Sequence, residues 1–198
     1  MDPNTVDAIV GSLAGPLCAA GGFCAGTEEV VEHQRIMSTA YVFSAALPAM
    51  MSTTARETLR LLQDEPAVLT QLRENIMSMW AQLDPRSDWV TCTSSPLNPI
   101  MLLVLKREVV EARNLAADDD QARLLQECVD EALANGVLVT RVKGMPAAQN
   151  AIGSGKTVDW RARPALKVCL TVGLTRKEVE KAGTVIRHAI TKVMSRRR

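Results

Sequence analysis

Residues 10–26 read VGSLAGPLCAAGGFCAG, and the fold of the first part of the chain is predicted from this uncharged stretch. It holds five glycines, one proline and two cysteines. The preceding VDAIVG (6–11) is short, β-branched and apolar and ends in glycine, which predicts a buried strand. GGFCAG (21–26) is predicted to make a tight turn between two short strands, because glycine pairs are typical of turns.

Three helices are predicted between this stretch and residue 87. Thr27 caps the first, TEEVVEHQRIM (27–37), whose early acids suit the helix dipole. An extended segment, YVFSAALP (41–48), precedes the second helix, AMMSTTARETLRLLQ (49–63). The third, AVLTQLRENIMSMWAQL (67–83), follows a proline and has apolar residues at helical spacing. A parallel strand needs neighbours that this part of the sequence does not offer, so residues 1–87 are expected to be the end of a larger domain.

Residues 88–198 have a different pattern, which predicts a compact α+β domain in the order β-β-α-β-β-α. Strands are predicted over WVTCTS, PIMLLVLK, VLVTRVK and ALKVCLTV. Helices are predicted over DDDQARLLQECVDEALANG and TRKEVEKAGTVIRHAITKVM. The second helix begins with a capping box formed by Thr175 and Glu178.

Composition excludes several classes of protein. Of 198 residues, 47% are hydrophobic and 23% charged, as in globular proteins. A net charge of +1 predicts no bulk attraction to nucleic acid. The sequence shows neither a signal peptide nor an apolar run of the roughly 20 residues that cross a bilayer. The five cysteines form no CxxC pair and are accompanied by two histidines, so free thiols are expected and a zinc site is not.

Two motifs and two histidines could indicate a functional site, but their sequence context argues against it. GSGKT (153–157) has Asn150 where a phosphate-binding loop needs glycine, and no strand precedes it, so a flexible loop is favoured over a nucleotide site. GSLAG (11–15) has no serine at its centre, as a nucleophile elbow requires. His33 and His188 lie on helix faces where solvation is favoured over catalysis. The chain therefore shows no catalytic residue and no metal site.

VDAIVGSLAGPLCAAGGFCAG (6–26) and HQRIMSTAYVFSAALP (33–48) resemble segments of the α-oxoamine synthases. These fold-type I pyridoxal-phosphate enzymes join an amino acid to an acyl-CoA. Their catalytic members read V-G-T-L-S-K before a Gly-Gly-aromatic turn, and the lysine forms the Schiff base with the cofactor. Matched residue for residue, the lysine position falls on Gly15, and no lysine precedes Lys106. A Schiff base needs an amine, so the resemblance implies that this chain does not hold the cofactor covalently.

The resemblance implies an α/β fold: the C-terminal part of a fold-type I pyridoxal-phosphate-dependent transferase. Residues 1–87 would end its large domain, and residues 88–198 would form its small α+β C-terminal domain. GGFC (21–24), HQR (33–35) and ALKVCLTVGLTRKEVEKA (165–182) are similar to a subunit type in this family that lacks the lysine. A non-catalytic subunit is therefore implied, inactive alone.

Its implied partner is a lysine-bearing catalytic subunit that holds pyridoxal 5′-phosphate. Such complexes condense L-serine with palmitoyl-CoA to 3-ketodihydrosphingosine in sphingolipid biosynthesis, so serine and palmitoyl-CoA would meet at the shared site. The alternative is a truncated, inactive chain that acts as an interaction module.

One site residue and one departure from the family pattern follow from the same resemblance. In this family, a serine in the segment matching FSAALPA (43–49) reaches the partner's cofactor phosphate across the dimer interface, which implies that Ser44 binds the cofactor in trans. An ordinary hydroxyl at a strand end is the alternative. Lys167 stands where catalytic members carry an arginine for the substrate carboxylate, and an ammonium is a poorer bidentate partner than a guanidinium.

The family's cofactor-stacking histidine, pyridine-binding aspartate and membrane anchor would lie before residue 1. We therefore expect the sequence to be a C-terminal piece of a longer protein. The resemblance implies the cytosolic face of the endoplasmic reticulum membrane, or the cytoplasm for this piece without its anchor.

Overall fold

The computed structural model describes residues 5–115, 117–143 and 163–196. The chain separates into two compact units, Met1–Pro66 and Ala67–Arg198. The sequence predicts a domain boundary between residues 87 and 88. The structural division comes earlier because the helix that ends at Leu83 packs against the last helix of the chain.

The first unit opens with an antiparallel hairpin. Strands β1 (Ala8–Ser12) and β2 (Gly22–Gly26) pair along their whole length. A strand is thus present where 6–11 predicts one, shifted by a residue or two, but the prediction that it is buried is wrong, because β1 pairs antiparallel with β2 and is largely exposed. The predicted turn over GGFCAG is wrong: this segment is itself mostly strand, and residues 13–21 make the connection through a 3-10 turn at Gly15–Leu17.

Three helices follow in this unit: α1 (Glu28–Met37), α2 (Thr39–Val42) and α3 (Ala49–Asp64). The predicted helices over 27–37 and 49–63 are confirmed. The segment YVFSAALP is extended over only part of its length, because its first two residues belong to α2. The carbonyl of Ser38 starts this short helix by accepting the amide of Val42 at 2.9 Å.

The described part of the first unit has almost no core. Ala19 and Ala55 are its buried residues over 5–66. Large apolar side chains are instead exposed, and the most exposed are Val10, Ile36, Met37, Phe43 and Met50. A single unit of this size normally buries such side chains.

The second unit builds a four-stranded antiparallel sheet with helices packed on one face. Its elements are α4 (Ala67–Leu83), β3 (Val90–Cys92), β4 (Ile100–Leu105), α5 (Arg107–Ala112), α6 (Asp118–Ala134), β5 (Thr140–Val142), β6 (Ala165–Cys169) and α7 (Arg176–Ser195). The strand order is β3-β4-β6-β5. The predicted β-β-α-β-β-α order is present, with the short helix α5 added.

One face of this sheet meets α4, α6 and α7. Alternate residues of β4 and β6 point to that face, as the strand period of two requires. The buried cluster there includes Met101, Leu103, Leu105, Leu166, Val168, Ile76, Met79, Leu125, Ile186 and Ile190. The capping box of α7 is confirmed: the Thr175 amide donates to Glu178 Oε2 at 2.8 Å, and the Glu178 amide donates to Thr175 Oγ1 at 3.4 Å.

A polar network joins α6 to the end of α7. Lys192 Nζ donates to Glu131 Oε1 at 2.7 Å, and a guanidinium nitrogen of Arg196 lies 3.7 Å from the other oxygen. The Asn135 amide also donates to Glu131 at 3.1 Å. The hydrogen bond from Lys192, together with these neighbours, lowers the pKa of Glu131 from its ordinary value.

Helix α6 offers a matched pair of leucines for testing the core. Leu125 is fully buried and Leu133 is 54% exposed on the same helix. We expect Leu125→Ala to lower the free energy of unfolding by about 2–5 kcal/mol, because it leaves a cavity. Leu133→Ala should cost less than about 0.5 kcal/mol. Urea denaturation of both variants measures this, and equal losses would contradict the assigned core.

The Glu131 network predicts a pH dependence of stability. A carboxyl with a lowered folded pKa stabilises the fold above its unfolded pKa, and this contribution is lost as the pH falls through the folded pKa. We therefore expect the wild type to lose its stability advantage over Glu131→Gln as the pH falls from neutral to below the ordinary Glu value of 4.5. Urea midpoints of both proteins across this range test it. A difference that stays constant with pH would show that the charge of Glu131 does not matter.

Candidate functional site

The predicted cofactor loop is closed at the end of the β1–β2 hairpin. The Leu13 amide donates to the Gly21 carbonyl at 3.0 Å. A Cβ atom on Gly22 would lie 2.6 Å from the Gly11 carbonyl oxygen, which is closer than side chains tolerate. Glycine at position 22 therefore lets the two strands approach.

Gly15 occupies the tip of this loop and has a left-handed backbone. Its φ is +72°, and the Cys18 amide donates to its carbonyl at 3.0 Å. A Cβ atom at position 15 would meet no atom within 4 Å. Space for a side chain therefore exists, but an L-residue would pay about 1–2 kcal/mol for this backbone conformation. Gly15, which the resemblance matches to the Schiff-base lysine, thus supplies no amine and has a backbone conformation that favours glycine; the match itself stays a prediction.

Helix α3 anchors the loop. Thr58 Oγ1 donates to the Leu17 carbonyl at 3.3 Å, and the Ala20 amide lies 3.4 Å from the Met51 sulfur. Thr58 and Met51 were not recognised in the sequence as loop contacts. They are 41 and 31 residues away along the chain, and no local pattern relates them to the loop.

Ser44 lies just after α2 and is exposed. Its hydroxyl donates to the carbonyl of Ala40, four residues earlier. The hydroxyl hydrogen is therefore engaged within its own segment. To donate to a phosphate, the side chain would have to leave Ala40, which costs little at an exposed site. The cofactor role of Ser44 stays a prediction.

A cleft of about 280 Å³ opens between the hairpin and helices α1 and α2. It is lined by Val10, Gly11, Gly22, Phe23, Cys24, Gln34, Ser38 and Tyr41. Neither acids nor bases are among these residues. The cleft can accept an apolar group and offers hydrogen bonds from one amide and two hydroxyls, but its lining holds no pair of acid and base for catalysis.

A larger groove, of about 760 Å³, runs between α4 and α7 in the second unit. Its lining includes Glu74, Arg86, Arg176 and Glu180, and the last two form an exposed ion pair at 3.0 Å. These charged side chains are exposed to solvent and do not place a nucleophile beside a base. The groove is larger than the cleft, but it is therefore not the better candidate for an active site.

Lys167 lies in the second unit, at the middle of β6. It pairs with Leu102 of β4 on one side and with Thr140 of β5 on the other. Its side chain points away from the core, because the neighbouring Leu166 and Val168 are the buried ones. Lys167 therefore presents an ammonium on the sheet face opposite the helices. Its match to a carboxylate-binding arginine stays a prediction.

The two histidines line neither the cleft nor the groove. His33 and His188 are exposed, as predicted. All five cysteines are free, and burial raises the pKa of Cys128 to about 12. The GSGKT motif at 153–157 lies outside the described residues. Over the described ranges, no cluster of histidine, cysteine and acids could hold a metal, and no helix has the length and apolarity to cross a membrane.

Sequence comparison gives the chain clear relatives. A family model described as aminotransferase class I and II matches residues 1–186. Serine palmitoyltransferase 1 of Dictyostelium discoideum is 28% identical over 197 residues, covering 98% of this chain and 38% of that protein. Long chain base biosynthesis protein 1c of Oryza sativa subsp. japonica is 38% identical over 101 residues, covering 51% of this chain and 21% of that protein.

Solved structures support the same fold. The Sphingomonas wittichii serine palmitoyltransferase superposes with a TM-score of 0.69 and 20% identity, over 96% of this chain and 41% of that one. The 8-amino-7-oxononanoate synthase of Francisella tularensis gives 0.64 and 18%, over 94% and 46%. The predicted α/β transferase fold is thus confirmed, and the chain spans less than half the length of these proteins.

The left-handed backbone at Gly15 generates a test of the loop. We expect Gly15→Ala to lower the free energy of loop opening by about 1 kcal/mol, because alanine is strained at positive φ. The loop should then open more often. Gly15→Asn should be milder, because asparagine tolerates this region. Subtilisin cleavage between residues 13 and 21, followed by mass spectrometry, should rise roughly fivefold for alanine and less for asparagine. Equal cleavage of both variants and the wild type would refute this loop conformation.

Proposed function

The chain belongs to the aminotransferase class I and II family, and we propose that it acts as a non-catalytic long-chain-base subunit of a serine palmitoyltransferase. The complex would condense L-serine with palmitoyl-CoA, releasing CO₂ and CoA, to give 3-ketodihydrosphingosine. The observation that carries the proposal is Gly15, which replaces the Schiff-base lysine within an otherwise matching loop. The names of the relatives point to the same complex.

The cofactor of the proposed complex is pyridoxal 5′-phosphate, which stabilises the carbanion that forms on an amino acid. The residues of this chain do not suit covalent attachment of that cofactor. Gly15 offers no amine, and the first lysine of the sequence is Lys106, in the second unit. We therefore assign the attachment to the partner subunit and derive no chemical step on this chain.

Ser44 would contribute to the partner's site through its hydroxyl. A phosphate accepts hydrogen bonds, and the Ser44 hydroxyl can donate one once it leaves the Ala40 carbonyl. Lys167 would supply a positive charge for a substrate carboxylate, as a point charge and not as a bidentate clamp.

Exposed apolar surface supports a heteromeric role. Phe43, directly before Ser44, is 83% exposed, and Tyr41 is 51% exposed. Large apolar side chains clustered in this way are typical of surfaces that a partner covers. A partner subunit that buries this segment would bring Ser44 to its own active site.

The second candidate is an interaction module without any part in catalysis. The second unit favours it, because this unit has a continuous buried core that includes Leu125 and Ile186. A monodisperse monomer that binds no catalytic subunit would favour the module.

For the whole protein we propose a location on the cytosolic face of the endoplasmic reticulum membrane, as in the family.

Reconstitution tests the proposal. We expect the chain, co-expressed with a lysine-bearing serine palmitoyltransferase subunit, to co-purify with it and to raise condensation of serine with palmitoyl-CoA. In this complex Ser44→Ala should weaken pyridoxal-phosphate binding roughly tenfold, by the loss of one charge-assisted hydrogen bond. Ser52→Ala, on the exposed side of α3, is the matched control.

The role of Ser44 and the assembly of the complex are measured separately. Cofactor affinity is measured by spectroscopic titration, and assembly by size-exclusion chromatography. A complex that forms but turns over no faster than the catalytic subunit alone would argue for the module. Equal cofactor affinity in the wild type and the Ser44 variant would remove Ser44 from the site.

A further inference from the structure

Leu47 differs from its neighbours in the segment that joins α2 to α3. Residues 41–50 are exposed with this one exception, since Leu47 is half-buried. Its side chain lies against Gly21, because a Cβ atom on Gly21 would come within 2.6 Å of Leu47 Cδ1. The φ of Gly21 is +87°, so the backbone at this position favours glycine as well. Gly21 therefore leaves free the space that a methyl group of Leu47 occupies.

Leu47 extends a stripe of side chains that packs on the loop of residues 13–21. It stands just before α3, and Met51, Ala55 and Thr58 of that helix follow it at helical spacing. Each of these residues is buried or half-buried. The contacts of Thr58 and Met51 with the loop are thus joined by a third contact, at the last residue of the loop. The stripe follows the loop from its middle to its end.

The contact of Leu47 restrains the position of Ser44. Three residues separate the two, so their Cα atoms are at most about 11 Å apart. On the other side, Ser44 donates to the carbonyl of Ala40 in α2, and Tyr41 of the same helix lines the cleft beside the hairpin. The segment is therefore held at both ends, and Ser44 has a defined place although its side chain is exposed.

We propose that Leu47 is a positioning residue, whose contact with Gly21 holds Ser44 where its hydroxyl can reach the cofactor phosphate of the partner subunit. This inference rests on the function proposed above. The loop that carries Gly15 in place of a lysine would then keep a use, because it supports the segment that carries Ser44. Leu47 itself touches neither cofactor nor substrate in this proposal and acts through Ser44.

Action through Ser44 sets a limit on the effect of Leu47. Without its contact, Ser44 would occupy the binding position for only part of the time, and the apparent cofactor affinity would fall by that fraction. The loss cannot exceed the loss caused by removing the Ser44 hydroxyl itself. A purely structural role of Leu47 has no such limit, because it would not depend on whether residue 44 has a hydroxyl.

A double-mutant cycle in the co-expressed complex tests this dependence. We expect Leu47→Ala to weaken pyridoxal-phosphate binding roughly three- to fivefold, and to cause no further loss in a Ser44→Ala background. Leu47→Met conserves volume and should bind within about twofold of the wild type. Leu59→Ala is the matched control, because this leucine of α3 is 49% exposed and lies outside the stripe. Spectroscopic titration gives each affinity.

Two glycines of the loop test the contact itself in the chain without its partner. Gly15 and Gly21 both have positive φ, so alanine is strained at either position. A Cβ atom would collide with Leu47 at position 21 and would meet no atom within 4 Å at position 15. We expect subtilisin to cleave between residues 43 and 47 roughly threefold faster in Gly21→Ala than in Gly15→Ala. Mass spectrometry identifies the cleavage site, and equal rates would overturn the inference.

The cycle separates failure of this inference from failure of the proposed function. Losses that multiply, or a Leu47→Ala complex with wild-type affinity beside a weakened Ser44→Ala complex, overturn the inference alone. A Leu47→Ala chain that no longer assembles also overturns it, since Leu47 would then act in the fold and not on Ser44. Wild-type affinity in Ser44→Ala removes Ser44 from the site and the inference with it. A wild-type chain that forms no complex overturns the proposed function.

Discussion

The second unit depends on the burial of one stripe of α7. Val179, Ile186 and Ile190 recur at helical spacing, and each is at most 2% exposed. Helix α7 packs on both α4 and α6, so the stripe joins helices that are far apart in sequence. Each such side chain contributes about 1.5–3 kcal/mol when fully buried. Removing α7 would leave α4 and α6 without the helix that both of them pack against.

The first unit shows the opposite arrangement. Its described residues are held by hydrogen bonds: the hairpin ladder, the turn at Gly15 and the contact between Thr58 and Leu17. Such hydrogen bonds contribute only about 1 kcal/mol each, so they fix the shape of a segment more than they stabilise it. Over residues 5–66, the unit that carries the candidate site therefore buries little apolar surface of its own.

Sequence alone predicted most of the elements and few of their contacts. Helix α7 was located to within a residue, because a capping box and a regular apolar stripe mark it. The hairpin was misjudged, since turn-forming glycines occur at both ends of the loop and do not say which residues pair. The contact division at Pro66 differs from the predicted boundary at 87/88 because α4 packs against α7, a helix about a hundred residues away that no local pattern relates to α4. The match of Gly15 to the lysine position stays a prediction, and the left-handed backbone of Gly15 and the contact of Thr58 with Leu17 have no local signature in the sequence.

The backbone of Gly15 also bears on the history of the loop. If an ancestor carried lysine at this position, its replacement by glycine released the backbone into a region that lysine enters at a cost of about 1–2 kcal/mol. A change back to lysine would then have to restore the amine and move the backbone out of the left-handed region together. Because two coupled changes are rarer than one, the loss of the amine would be hard to reverse.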